Sequence, residues 1–129
     1  ALVKEHGIKR GVLLPVSAPF HCPLMQPAAD AMAEALAKVT MQAPLVPVYA
    51  NVTAAPVADA ETIKRLLVEQ VTGRVRWRES VAAMAAAGVG SFVELGGKVV
   101  GPMAKRIAAD VEATSVVTME DIEALAKAL

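Results

Sequence analysis

Hydrophobic residues alternate along the chain between short continuous runs and stripes with helical spacing. GVLLPV (residues 11–16), LVPVYANV (45–52), SFVEL (91–95) and TSVVT (114–118) are short apolar or β-branched runs, and each predicts a strand. Pro15 has no amide hydrogen for a ladder, so it places the first run at a sheet edge or near the strand's end. PAADAMAEALAKV (27–39) puts Ala28, Met32, Ala35, Leu36 and Val39 on one helical face, with Asp30 and Glu34 on the other. Pro27 suits the first helical position, and the residue before it is steered out of the α region. ETIKRLLVEQV (61–71) predicts a second amphipathic helix ending near Gly73, and RESVAAMAAAG (78–88) a third closed by Gly88. VVGPMAKRIAAD (99–110) predicts a fourth with Gly101 and Pro102 near its start, and MEDIEALAKAL (119–129) a last one. Residues 1–6 read as a helix end closed by Gly7, AAPVAD (54–59) as a loop, and Gly96-Gly97-Lys98 as a tight turn. Strands and helices alternate at spacings that suit crossover units, which predicts an α/β fold with a mostly parallel sheet. There is no internal repeat.

Composition narrows this picture. The 129 residues suit one domain or part of a larger one, and 55% are hydrophobic, many of them alanine. A core of Val, Leu, Ile, Met and Ala fits a layered α/β domain. Lysine plus arginine equals aspartate plus glutamate, so charge gives no argument for nucleic acid or an anionic membrane surface. The single cysteine, Cys22, excludes an internal disulfide and a multi-cysteine metal site, and it is compatible with a reducing cytosol. No apolar run approaches the ~18 residues of a membrane span. Charges interrupt ALVKEHGIKR where a signal peptide needs an apolar segment. The chain opens without methionine in what reads as the middle of a helix, and it is expected to start inside a larger domain.

Candidate chemistry centres on SAPFHCPLM (17–25), where one histidine lies among two prolines, a phenylalanine and the lone cysteine. His6 sits beside Lys4 and Glu5 and reads as a solvated residue. His21 follows an apparent strand and leads into a helix, where active-site groups of α/β folds often lie. A structural histidine and a general base both fit there. Imidazole has an unperturbed pKa of about 6.5 and serves as a base near neutral pH. Its client is harder to find. The nucleophile elbow G-x-S-x-G is absent, and Ser17, Ser80 and Ser91 lack that setting. Cys22 neighbours His21, and adjacent side chains often point apart.

SAPFHCPLMQPAADAMAEAL resembles the histidine segment of malonyl-CoA:acyl carrier protein transacylases and of the related acyltransferase domains of polyketide and fatty acid synthases. The likeness continues in register through APLVPVYANV, LLVEQVTGRVRWRESVAAMAAAGVGSFVELG and KVVGPMAKRI, and so covers essentially the whole chain. Two turns depart from the family pattern. Its glycine-proline-glycine before "KVL" is here Gly96-Gly97, one residue shorter, and its "NP" before "V-x-W" is Gly73-Arg74. The resemblance implies an α/β-hydrolase-like large subdomain over residues 19–129, flanked by the end of a ferredoxin-like small subdomain over residues 1–18. It implies cytoplasmic malonyl transfer from malonyl-CoA to the phosphopantetheine thiol of acyl carrier protein, with no metal and no cofactor. It places the catalytic base on His21 and the main-chain carbonyl that orients the base on Gln70. The nucleophilic serine, the arginine that holds the malonyl carboxylate and the oxyanion glutamine come earlier in the family's chain, in a segment absent from this sequence. Phe20 would contact the substrate and select malonyl groups, or simply pack in the core. Asn51 would line the floor of the site, or cap a turn. Gly96-Gly97-Lys98 could cradle a CoA phosphate. Arg74, Arg76 and Arg78, alternating around a core Trp77, could meet CoA phosphates or an acidic carrier, or form a solvated face. A synthase domain and a non-catalytic binding module with the same fold are the alternatives.

Overall fold

A computed structural model describes residues 2–9, 11–13 and 15–128. In chain order the elements are α1 (Leu2–Glu5), a 3₁₀ turn (Pro23–Met25), α2 (Gln26–Ala37), β1 (Val48–Tyr49), β2 (Pro56–Val57) and α3 (Ala60–Thr72). Then follow α4 (Trp77–Ala86), β3 (Ser91–Leu95), α5 (Val100–Ile107), β4 (Glu112–Val116) and α6 (Met119–Ala128). The fold is α/β, and its longer ladder is parallel. β3 and β4 pair from Ser91 opposite Glu112 to Leu95 opposite Val116, with α5 as the crossover. α5 packs against both strands and against α4, while α2 packs on α3. Leu66, Val81, Ala104, Val111 and Val116 are buried where these layers meet, and Ala29 is buried on α2. No described helix is long and apolar enough to cross a membrane.

Several expectations change. Residues 11–13, 15 and 16 form no strand, and Leu13 is 98% exposed (Leu14 lies outside the described residues). A strand exists by pairing, and no described strand lies beside this run. The run at 45–52 shrinks to Val48–Tyr49, because its ladder is with β2, inside the stretch expected to be a loop. That pairing is antiparallel, Val48 opposite Val57 and Tyr49 opposite Pro56. The helical face at 27–39 is also rotated. Ala29 is buried and Leu36 half-buried, whereas Ala28, Met32, Ala35 and Val39 stay exposed. Alanine on every side makes the stripe ambiguous, and close approach to α3 selects the small Ala29. Gln26 keeps αR geometry (φ −52°, ψ −43°) despite preceding Pro27, since the 3₁₀ turn runs straight into α2. β4 starts two residues before the expected TSVVT, and Thr118 leaves the strand to cap α6. Its hydroxyl accepts from the Asp121 amide at 3.2 Å, and the Asp121 carboxylate accepts from the Thr118 amide at 2.9 Å. Ala1 and Leu129, placed in the first and last helices, lie outside the described residues. Gly7 and Gly88 take the positive φ expected after a helix.

The β3–α5 turn is closed by one carboxylate. Glu94 accepts hydrogen bonds from the amides of Val99 (2.8 Å), Val100 (3.1 Å) and Gly101 (2.9 Å) and from the Ser115 hydroxyl (3.2 Å). A Cβ at Gly97 would lie 2.8 Å from Glu94 Oε1, so a larger residue there would make the carboxylate shift. Burial pushes the Glu94 carboxyl up, but the three amides and the hydroxyl outweigh it, and the group sits below its ordinary value of 4.5. A lowered folded pKa means that the stabilisation is present above about pH 4.5 and is lost as pH falls further, through the folded value. Glu94→Gln is therefore expected to unfold more easily than the parent at pH 7 in urea, with the gap narrowing below pH 4.5. The caps Asp59 and Asp121 shift in the same direction and are present in both proteins, so the difference isolates Glu94. A gap that stayed constant with pH would remove the carboxylate from this role.

Candidate active site

The segment before α2 is shaped by its prolines. Cys22 precedes Pro23 and is extended (φ −143°, ψ 168°), as a residue before proline tends to be. The Phe20 amide donates to the Ala18 carbonyl at 2.9 Å, and the Cys22 thiol donates to the Pro19 carbonyl at 3.0 Å. Between these two contacts the backbone of His21 is left-handed, with φ +56°.

That turn aims the imidazole at the end of α3. His21 Nδ1 lies 2.7 Å from the main-chain oxygen of Gln70. A carbonyl can only accept, so Nδ1 carries the hydrogen, and the neutral ring keeps its lone pair on Nε2. Gln70 is able to accept because α3 stops two residues later, and the last carbonyls of a helix have no intrahelical donor. The same end is the negative pole of the helix dipole, where a cation is stabilised.

The stop at Gly73 is steric as well as conformational. A Cβ there would lie 2.8 Å from Val52 Cγ1 and 2.9 Å from the Glu69 carbonyl oxygen. Glycine thus lets the β1–β2 connection press against the helix end. On that connection the Asn51 side-chain amide donates to Gln70 Oε1 at 2.7 Å, and the Asn51 carbonyl accepts from the Arg76 amide at 2.8 Å. A cavity of about 180 Å³ opens beside them, lined in part by Tyr49, Asn51, Leu66 and Gln70.

His21, Gln70 and Asn51 thus form one connected group. Phe20 adjoins it in sequence and is 56% exposed in this chain. His6 is exposed. Ser80 is 4% exposed and donates back to the Arg76 carbonyl at 3.0 Å, so its hydroxyl is committed within α4. Among the described residues, no serine or cysteine is hydrogen-bonded to the His21 ring. The turn at Gly96-Gly97-Lys98 is no phosphate cradle, because Glu94 already takes the amides that would bind one. The alternation of arginines also fails, because Trp77 starts α4 and Arg78 is helical. Arg74 and Arg76 turn to Glu79 at 3.4 and 3.3 Å, and Arg76 also donates to the Thr53 carbonyl at 3.1 Å. Trp77 is half-buried, and its indole N–H is buried without an acceptor. The Asn51–Gln70 side-chain bond was not visible in the sequence, since its members lie 19 residues apart on different elements.

No protein-family model matches the chain. It is 43% identical over 130 residues to the malonyl CoA-acyl carrier protein transacylase of Escherichia coli strain K12, an alignment covering 100% of this chain and 41% of that protein. The crystal structure of acyl-carrier-protein-S-malonyltransferase from Bartonella henselae superposes with a TM-score of 0.88 at 52% identity, covering 98% of this chain and 41% of that one. The structure of a type II PKS acyl-carrier protein in complex with its malonyl-transacylase matches with a TM-score of 0.87 at 36% identity, covering 98% and 41%. The chain thus spans about two fifths of the length of the relatives it matches. Sequence and backbone agree along nearly all of it, and the chain is homologous to the malonyl CoA-acyl carrier protein transacylases.

Proposed function

We propose that this chain supplies the base-bearing part of a malonyl-CoA:acyl carrier protein transacylase, acting in the cytoplasm. The nucleophile is a serine on a segment outside these 129 residues. In the first transfer the serine hydroxyl attacks the thioester carbonyl while Nε2 of His21 takes its proton. The tetrahedral intermediate collapses, the proton passes to the departing CoA sulfur, and a malonyl ester remains. In the second transfer the phosphopantetheine thiol of acyl carrier protein gives its proton to Nε2 and attacks the ester. The proton returns to the serine oxygen as it leaves. Residues 1–18 belong to a small ferredoxin-like subdomain in this reading, and residues 19–129 to the large one.

The observation that carries the reading is the 2.7 Å contact from His21 Nδ1 to the Gln70 carbonyl, which presents Nε2 as the acceptor. It fills the place that a carboxylate has in a serine–histidine–aspartate triad. A polyketide setting is a second reading, because one structural neighbour is a type II PKS acyl-carrier protein with its malonyl-transacylase.

Malonyl-CoA should acylate the full-length protein once, on a serine outside this segment, and leave no stable adduct on the 129-residue chain alone. Intact-mass and peptide-mapping spectrometry would locate the ester. A stoichiometric adduct on Ser17, Ser80 or Cys22 would sink the proposal.

A further inference from the structure

We infer that Asn51 is a positioning residue for His21, acting through the side chain of Gln70 on the carbonyl that orients the imidazole. The inference rests on the transfer role proposed for His21. Three hydrogen bonds run in series. The Arg76 amide donates to the Asn51 carbonyl (2.8 Å), the Asn51 side-chain amide to Gln70 Oε1 (2.7 Å), and His21 Nδ1 to the Gln70 carbonyl (2.7 Å).

The need for such a brace follows from where Gln70 lies. Its carbonyl lies one residue past Glu69, whose oxygen takes the helical bond from the Gly73 amide at 2.9 Å, so no amide of α3 holds it, and helix ends fray. A contact from outside the helix to the same residue limits how far that carbonyl can swing. Asn51 holds Gln70 by the side chain, and Val52 seated against Gly73 holds the turn that carries Asn51. Arg76 anchors the same turn from the other side, by its amide to Asn51 and by its guanidinium to the Thr53 carbonyl at 3.1 Å. Asn51 therefore serves the base and not the substrate.

The test is a double-mutant cycle in the full-length transacylase. Asn51→Ala and Gln70→Ala each remove the same bond and leave the Gln70 carbonyl in place. Each is expected to lower kcat roughly 2–10-fold, about the worth of one hydrogen bond, with KM for malonyl-CoA unchanged. The double variant should lose no more than either single one. The ¹⁵N spectrum of the histidine ring gives a readout independent of turnover. The parent should show the Nδ1–H tautomer of His21, and both variants a mixture with Nε2–H. Additive losses, a raised KM at unchanged kcat, or an unaltered tautomer would each overturn the inference. If Asn51→Ala does not fold, Gln70→Ala carries the tautomer test alone. Should His21→Ala keep full turnover while the tautomer still mixes in the variants, the transfer mechanism falls and the positioning contact stands.

Discussion

His21→Ala is expected to lower malonyl transfer by the full-length enzyme about 10²–10⁴-fold, the usual worth of a positioned acid–base group. The loss should fall on both half-reactions. In the proposed mechanism the same Nε2 takes the proton from the serine in the first and from the carrier thiol in the second. Folding should be nearly unaffected, because the one hydrogen bond of the side chain goes to a carbonyl at a helix end. Activity and stability are thus separable at this position. Rapid-quench acylation with malonyl-CoA, beside thermal melts of the same preparations, measures both. Turnover close to the parent's would refute the assignment of the base. A large drop in melting temperature would reassign His21 to structure.

Phe20→Ser is expected to narrow the preference for malonyl over methylmalonyl groups by roughly 10–200-fold, the range that one methyl group is worth in a pocket. Ala18-Pro19-Phe20-His21 resembles the "HAFH" pattern of malonyl-selective acyltransferase domains, with alanine at its first position. Methylmalonyl-selective domains resemble "YASH", with serine before the base. The physical difference is volume. A phenyl ring next to the base fills the space an α-methyl group needs, and serine leaves it open. Since only one methyl group is at stake, the preference need not reverse. The ratio of kcat/KM for the two thioesters decides the matter. An equal loss toward both would make Phe20 a packing residue.

Elements with strong local signals were legible in the sequence. α3, α4, α5 and β3 lie within a few residues of where spacing and composition put them; each of the helices carries a stripe that its neighbours bury, whereas the apolar run of β3 forms a strand with Leu95 left 76% exposed. The failures share a cause. GVLLPV has a strand's composition, but strands need partners, and composition does not name them. PVAD looked like a loop because proline is poor in ladders, yet at Pro56 the ladder is only two residues long. The face of α2 was misjudged because alanine gives little contrast between inside and outside. At the site, the resemblance led to His21 and Gln70, and His21 Nδ1 lies 2.7 Å from the Gln70 carbonyl oxygen. The side chain of Gln70 was not legible as a link, since nothing in a sequence tells which amide another amide will find.

The left-handed backbone at His21 bears on how this position would drift. Glycine adopts φ +56° more easily than other residues, and a non-glycine residue there carries a cost of roughly 1–3 kcal/mol. Mutation to glycine would therefore tend to raise thermal stability while removing the proposed base. Selection for turnover and selection for robustness pull in opposite directions at this one codon. On the proposed mechanism, a sister chain with glycine here, on an otherwise intact proline-flanked turn, would be one that has retired from acyl transfer.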